Sequence, residues 1–210
     1  MLFRSLNHSG ILDVLTGTLS LDGGIGQFFS GAVITGAGTT RLYGIATTLT
    51  GTVSASHLDL ASGSLSVNSA ATLNGQLTWS AGILTGTGTL TIPVGSTLTV
   101  SAGGGPKYLD LATLNNAGTL NVTSASWYGE YGAVLNNTGT LDLQGDYGLG
   151  WLYGARPTVN NFGLLRKSAG AGTTTFNYVN FNQSGLLKML AGTVNFASGK
   201  IGRASCRERV

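Results

Sequence analysis

The chain has 210 residues, of which 34 are glycine and only 9% are charged, and its mean hydropathy is +0.22. No apolar run approaches the ~20 residues of a membrane-spanning helix, and Leu, Val and Ile recur too often for a disordered chain. Eleven basic against eight acidic residues give a formal net charge of +3. Four of the basic residues and one acid lie in 200–210, so the rest is neutral and offers no basic patch for nucleic acid or anionic membrane.

Taken from the start, the chain alternates apolar and polar residues with a period of two, the pattern of strands with one buried face. "NHSGILDV" (7–14) opens this series and runs on as "GILDVLTGTLSL" (10–21), two strands joined by a tight turn. "LDGGIG" (21–26) lacks the G-G-x-G-x-D order of calcium-binding nonapeptides and occurs once. "GAVITGAG" (31–38) reads as strand and turn, because no helix follows to present a phosphate site. "GSLSV" (63–67) and "GTLTI" (88–92) are diverged copies of one motif. That motif becomes clear in "NNAGTLNV" (115–122), "NNTGTLDL" (136–143), "NNFGLLRK" (160–167) and "NQSGLLKM" (182–189). Its glycine, at Gly118, Gly139, Gly163 and Gly185, returns once in roughly 22 residues, a period of the kind that marks stacked repeats.

Such steps, each holding short strands and turns, are one coil of a β-solenoid, since a single coil cannot bury its own apolar face. The spacing predicts an all-β fold with about 21–25 residues per coil. Leu120, Leu141 and Leu165 should stack in one interior ladder. The asparagines should hydrogen-bond up and down their corner, and the glycines after them should supply positive φ. Residues 7–24 also align without gaps to 182–199, with 8 of 18 positions identical. Self-similarity at this longer period predicts that 1–199 is a single solenoid segment, one unit of roughly 175 residues and the start of the next. Met1 then falls in mid-unit. "IGRASCRERV" (201–210) breaks the grammar and reads as a translated sequencing adapter, so 200–210 is expected to be non-native. Cys206, the single cysteine, belongs to it, which leaves neither a disulfide framework nor a thiolate metal site.

"NNAGTLNV", "NNTGTLDL", "TGTLSLDGG" and "GTGTLTIPVGSTLTV" resemble the repeats of very large bacterial adhesin-like and autotransporter-passenger-like surface proteins. The resemblance covers nearly all of 1–199. It implies a right-handed parallel β-helix, an extracellular or outer-surface location, and an adhesive or stalk-like role as a monomeric solenoid. It also implies glycans or host and neighbouring-cell surface molecules as partners. Neither a cofactor nor membrane insertion by this segment is expected.

Chemistry is sparse. Asp13, Asp22, Asp59, Asp110, Glu130, Asp142 and Asp146 are scattered, whereas paired catalytic carboxylates must converge within ~5–9.5 Å. Asp13, Asp59 and Asp142 fit exposed ladder positions. His8 and His57 are too few and too far apart for a metal. An enzyme is therefore not expected, with a polysaccharide lyase or hydrolase as the rival reading and a sugar-binding module as the third. "SWYGEYGA" (126–133) and "GDYGLGWLYGARP" (145–157) stand apart. They carry Trp127, Tyr128, Tyr131, Tyr147, Trp151 and Tyr153 beside Glu130, Asp146 and Arg156. Trp127 and Trp151 lie about one coil apart and are expected to project from one edge as a surface for sugars or a partner. The bland alternative is corner loops whose rings cover the solenoid edge.

Overall fold

The computed structural model describes residues 5–110 and 112–202. Among these no helix forms. Every strand pairs in parallel, and the strands stack as a β-solenoid of about nine turns.

Each coil has three faces. The first face is a ten-stranded parallel sheet that runs from Ser5–His8 through Ile25–Phe28 and Ile45–Leu49 to Thr193–Ala197. The second contains Thr113–Asn116, Val134–Asn137 and Thr158–Asn161, and the third Thr119–Val122, Thr140–Leu143 and Leu164–Lys167. Two ten-residue strands, Gly51–Leu60 and Ala70–Trp79, pass from the second face to the third without a break. Gly75 (φ +98) makes that bend, where the register slips between Gly75 and Leu77. Coil length varies more than the repeated glycines suggest: the rung from Ala46 to its partner Ser64 is short, and the one from Leu149 to Phe176 is long.

Alternation builds the core. Leu98, Leu120, Leu141 and Leu165 are register partners on successive rungs and all fully buried, the interior ladder the spacing predicts. Thr99, Asn121, Asp142 and Arg166 form the outward ladder between them.

The asparagine expectation holds and is doubled. Asn115, Asn136, Asn160 and Asn182 form an outer ladder, each amide donating to the one before at 2.7–2.9 Å. Beside it runs an inner ladder whose three asparagines are sealed from solvent. Asn116 Nδ2 donates to Asn137 Oδ1 (2.7 Å), Asn137 Nδ2 to Asn161 Oδ1 (2.6 Å), and Asn161 Nδ2 to Gln183 Oε1 (2.9 Å). These residues end second-face strands rather than sitting in the turns.

The reason for the glycines is corrected. Gly118, Gly139, Gly163 and Gly185 are not in the positive-φ region. A β-carbon on any of them would lie 2.0–2.3 Å from a carbonyl oxygen of the previous coil, so close backbone approach requires glycine there. Gly10, in the first coil, has no such neighbour.

The two ends of the long self-alignment keep their in–out parity but not their face. Asn7–His8 end a first-face strand, whereas Asn182–Gln183 end a second-face strand. Ile201 and Gly202 add a short rung beside Phe181 and Asn182, leaving Ile201 exposed. An open strand edge accepts any backbone, so this pairing carries no repeat signal. Residues 203–210 lie outside the described residues.

Candidate functional site

The two aromatic segments are not loops on one corner. Each contains a first-face strand, Trp127–Glu130 and Leu149–Trp151, with a corner at either end. Their residues therefore separate by parity and by position along the strand.

Trp127 is the clearest correction. Its register partner is Leu149, an inward position, and only 1% of Trp127 is exposed. The ring packs edge-on against Trp79, which ends a third-face strand, centroids 5.8 Å apart, so it is core and offers nothing to a ligand. Gly129 is the register partner of Trp151, so the two tryptophans are also displaced by two positions along the face. The expected pair on one edge does not form.

Tyr128 points outward and packs against Tyr108 of the previous rung, the rings tilted by 31° with centroids 5.9 Å apart. Glu130, also outward, is the register partner of Asp110. Burial pushes the Glu130 carboxyl up, and the charge of Asp110 pushes it further. Glu130 is only 8% exposed, and one oxygen of each carboxyl has no hydrogen-bond partner among the described residues. This pair is one that the linear spacing of carboxylates hides. A signal was present: "KYLD" (107–110) and "WYGE" (127–130) repeat Tyr-x-acid one coil apart.

Trp151 forms a separate cluster beyond the end of its strand. Its Nε1 donates to Tyr153 O (2.9 Å) and Gly154 O (3.1 Å). Its ring lies 5.8 Å from Tyr178, and the Arg156 guanidinium stands over both rings at 5.9 and 5.2 Å. Arg156 Nη1 also donates to Ser198 O (2.8 Å), so the guanidinium pins the last coil to this corner. Tyr178, at φ +58, completes the cluster and was not singled out in the sequence. Tyr131 and Tyr153 are exposed, and the Tyr131 backbone donates to Tyr153 O (3.1 Å).

Asp146 sits at the opposite corner, where it is already occupied. Its Oδ1 accepts from the fully buried Lys167 Nζ (2.8 Å) and its Oδ2 from Gly172 N (3.1 Å). The Lys167 hydrogen bond, helped by Gly172 and the lysine charge, holds the carboxyl below its ordinary range. Lys167 also reaches Gly145 O and Thr174 Oγ1, which satisfies its three donors. Tyr147 beside it is partly exposed. Asp146 and Lys167 thus tie successive coils together at this corner, with the Asp146 carboxyl half-exposed.

Asp142 corrects the exposed-ladder expectation. It points outward yet is fully covered by Arg166 (2.7 Å), Gln144 (2.9 Å) and Ser168 (2.6 Å). Burial raises its carboxyl, but these hydrogen bonds and the Arg166 charge outweigh that and hold it low. Among the described residues no three His, Cys, Asp or Glu gather in a metal-binding group.

The nine candidates thus divide into a core tryptophan (Trp127), a Tyr–acid pair on the first face (Tyr128, Glu130), a cation–aromatic clamp (Trp151, Arg156), a half-exposed aspartate paired with a buried lysine (Asp146), and three exposed tyrosines (Tyr131, Tyr147, Tyr153). Comparison with known proteins gives no match to a family model, a curated protein or a solved structure.

Proposed function

We propose that this chain is an extension and display segment of a large bacterial cell-surface or secreted repeat protein, of the adhesin-like kind its repeats resemble. The observation that supports this most is the like-on-like stacking of rungs. Asparagine lies on asparagine and leucine on leucine over successive coils, with strands paired rung to rung on all three faces. A coil built this way adds a fixed rise of ~4.8 Å per rung whatever its number, which suits a stalk. The side chains of the former candidate site support the same reading, because Trp127, Asp146 and Arg156 are engaged in holding coils together.

Antibodies raised against the folded solenoid and applied to cells of the source organism test the location. Labelling of intact cells, or of material shed from them, is the expected result. Labelling only after permeabilisation overturns the proposal. A carbohydrate-binding role is favoured by a different part of the surface.

A further inference from the structure

A trough of about 620 Å³ crosses the corner between the third and first faces over four successive coils. In three coils this corner is very tight: Gly44, then Ala61–Ser62, then Ser80–Ala81. In the next coil it swells to the stretch 101–106, between Val100 and Lys107. The swelling forms one end wall, with Tyr108 beside it. Arg41 and Tyr43, on a third-face strand three rungs away, form the other.

Part of this shape follows from stacking alone. A β-carbon on Gly63 or Gly82 would lie 2.3 or 2.6 Å from a backbone oxygen of the coil below, so the floor has to be small. The wall is different. A β-carbon on Gly104 would meet nothing within 4 Å, and one on Gly105 only the Ala81 methyl at 3.6 Å. Neither glycine takes a positive φ. Packing does not require them, and their effect is to keep the trough open.

The lining alternates apolar and polar groups. Tyr43 presents a half-exposed ring, and Tyr108 a second one packed at a tilt against Tyr128. Ser62 Oγ accepts from Gly44 N (2.6 Å), which leaves its hydroxyl proton to donate. The Arg41 guanidinium lies over Tyr43 at 5.2 Å and 3.7 Å from Asp59, and makes no hydrogen bond among the described residues. One cation is too little charge for a nucleic acid. Ser62 and Ser64 along an open floor do not suit an acyl chain.

We propose that this trough binds a short linear oligosaccharide, with sugar faces against Tyr43 and Tyr108 and hydroxyls on Ser62 and Arg41. The four corners span three rungs, roughly 14 Å, enough for a few rings in an extended chain. Aromatic platforms suit the C–H faces of sugars, and a small number of placed donors fixes their orientation. The site stands on its own geometry and does not depend on where the whole protein is located.

The test uses the full chain on an array of linear oligosaccharides of graded length, followed by calorimetric titration of the best binder. Saturable binding that strengthens up to a trimer and then levels off is expected. Ser64→Trp fills the floor from an outward position, and Tyr43→Ala removes one platform. Each should weaken binding about tenfold, the weight of one well-placed aromatic contact, with the melting temperature unchanged. Trp151→Ala, outside the trough, should bind as the wild type does. Absence of saturable binding to every oligosaccharide, or full affinity in both trough variants, overturns the proposal. Neither result bears on antibody labelling of cells, so the two readings fail separately.

Discussion

Replacing Asn137 by alanine tests whether the inner amide ladder holds the coils together. Asn137 is fully buried and sits between two neighbours. Its Oδ1 accepts from Asn116, and its Nδ2 donates to Asn161 Oδ1 and to Leu164 O (3.1 Å). Alanine leaves Asn161 Oδ1 without its donor in a place water does not reach. Asn116 Nδ2 keeps only Thr140 O. An unmet buried polar group costs ~1–3 kcal/mol, and a small void adds to it. The expected loss is about 2–4 kcal/mol. Asn136→Ala, one residue away, removes the same side chain from the half-buried outer ladder, where water can replace it, and should cost about 1 kcal/mol or less. Asn116→Ile provides the third arm. Asn116 already has an unpaired Oδ1, and its partner on the preceding rung is Ile92, so the change only moves the end of the ladder by one coil. It should be nearly neutral. Urea unfolding followed by far-UV circular dichroism measures all three. Equal losses at 136 and 137, or a loss at 116 as large as at 137, would refute the ladder as the source of stability.

Trp127→Ala should destabilise by about 3–5 kcal/mol, the cost of emptying a core aromatic site, whereas Trp151→Ala should cost about 1 kcal/mol for its partly exposed cation–aromatic contact; thermal melting compares them. Lys107 faces inward, is 1% exposed, and has one long hydrogen bond, Nζ to Gly105 O at 3.4 Å. Burial lowers its ammonium below the ordinary lysine range, so between the folded and unfolded values the unfolded state holds more protons and stability rises with pH. Lys107→Met should therefore be more stable than wild type at pH 7 and lose that advantage toward pH 10. Glu130 has the opposite sense: its raised carboxyl makes the folded state hold more protons above the unfolded value of 4.5, so stability falls as pH climbs through the folded value. Glu130→Gln should match wild type near pH 4 and exceed it at pH 7. Asp142, held low, contributes stability above the unfolded value of 3.8 and loses it as pH falls through the folded value, a step that Asp142→Asn should abolish in an acid-unfolding curve.

What was legible in the sequence was whatever the solenoid repeats locally. Alternation placed Leu120, Leu141 and Leu165 in one ladder because side-chain direction along a strand depends only on parity. The asparagine pairs announced stacking because a cross-rung amide bond needs like residues at like positions. The candidate site failed on the same principle, applied too coarsely. Trp127 and Tyr128 are neighbours, and parity alone sends one into the core and the other to the surface. Taking the interval from Trp127 to Trp151 as one coil ignored that this rung closes sooner, Trp127 on Leu149 and Tyr128 on Gly150, so the two rings miss each other by two positions. Asp146 looked free because its partner, Lys167, lies a coil away in the chain and reaches it through the interior. The trough has no signature in the sequence because its floor is mostly glycine, alanine and serine, which form no motif.

The alignment of 7–24 with 182–199 shows what self-similarity means in a three-faced coil. The parity is kept: Leu12 pairs with inward Ile34, and its counterpart Leu187 with inward Leu165. The face is not kept, because Ser9–Gly10 turn from the first face to the second while Ser184–Gly185 turn from the second to the third. The same Asn-x-Ser-Gly turn serves two different corners, but only the later copy makes the stacking contacts: Asn182 donates to Asn160 and a β-carbon on Gly185 would meet Gly163 O, whereas Gly10 has open space around it. The long step from Asn7 to Asn182 is then a whole number of coils plus one face. Side chains that matter only to the inward ladder tolerate that rotation. Residues that act outward, such as Tyr43 and Tyr108, depend on lying over one particular corner, so a repeat shifted by a face would carry the core and leave the trough behind.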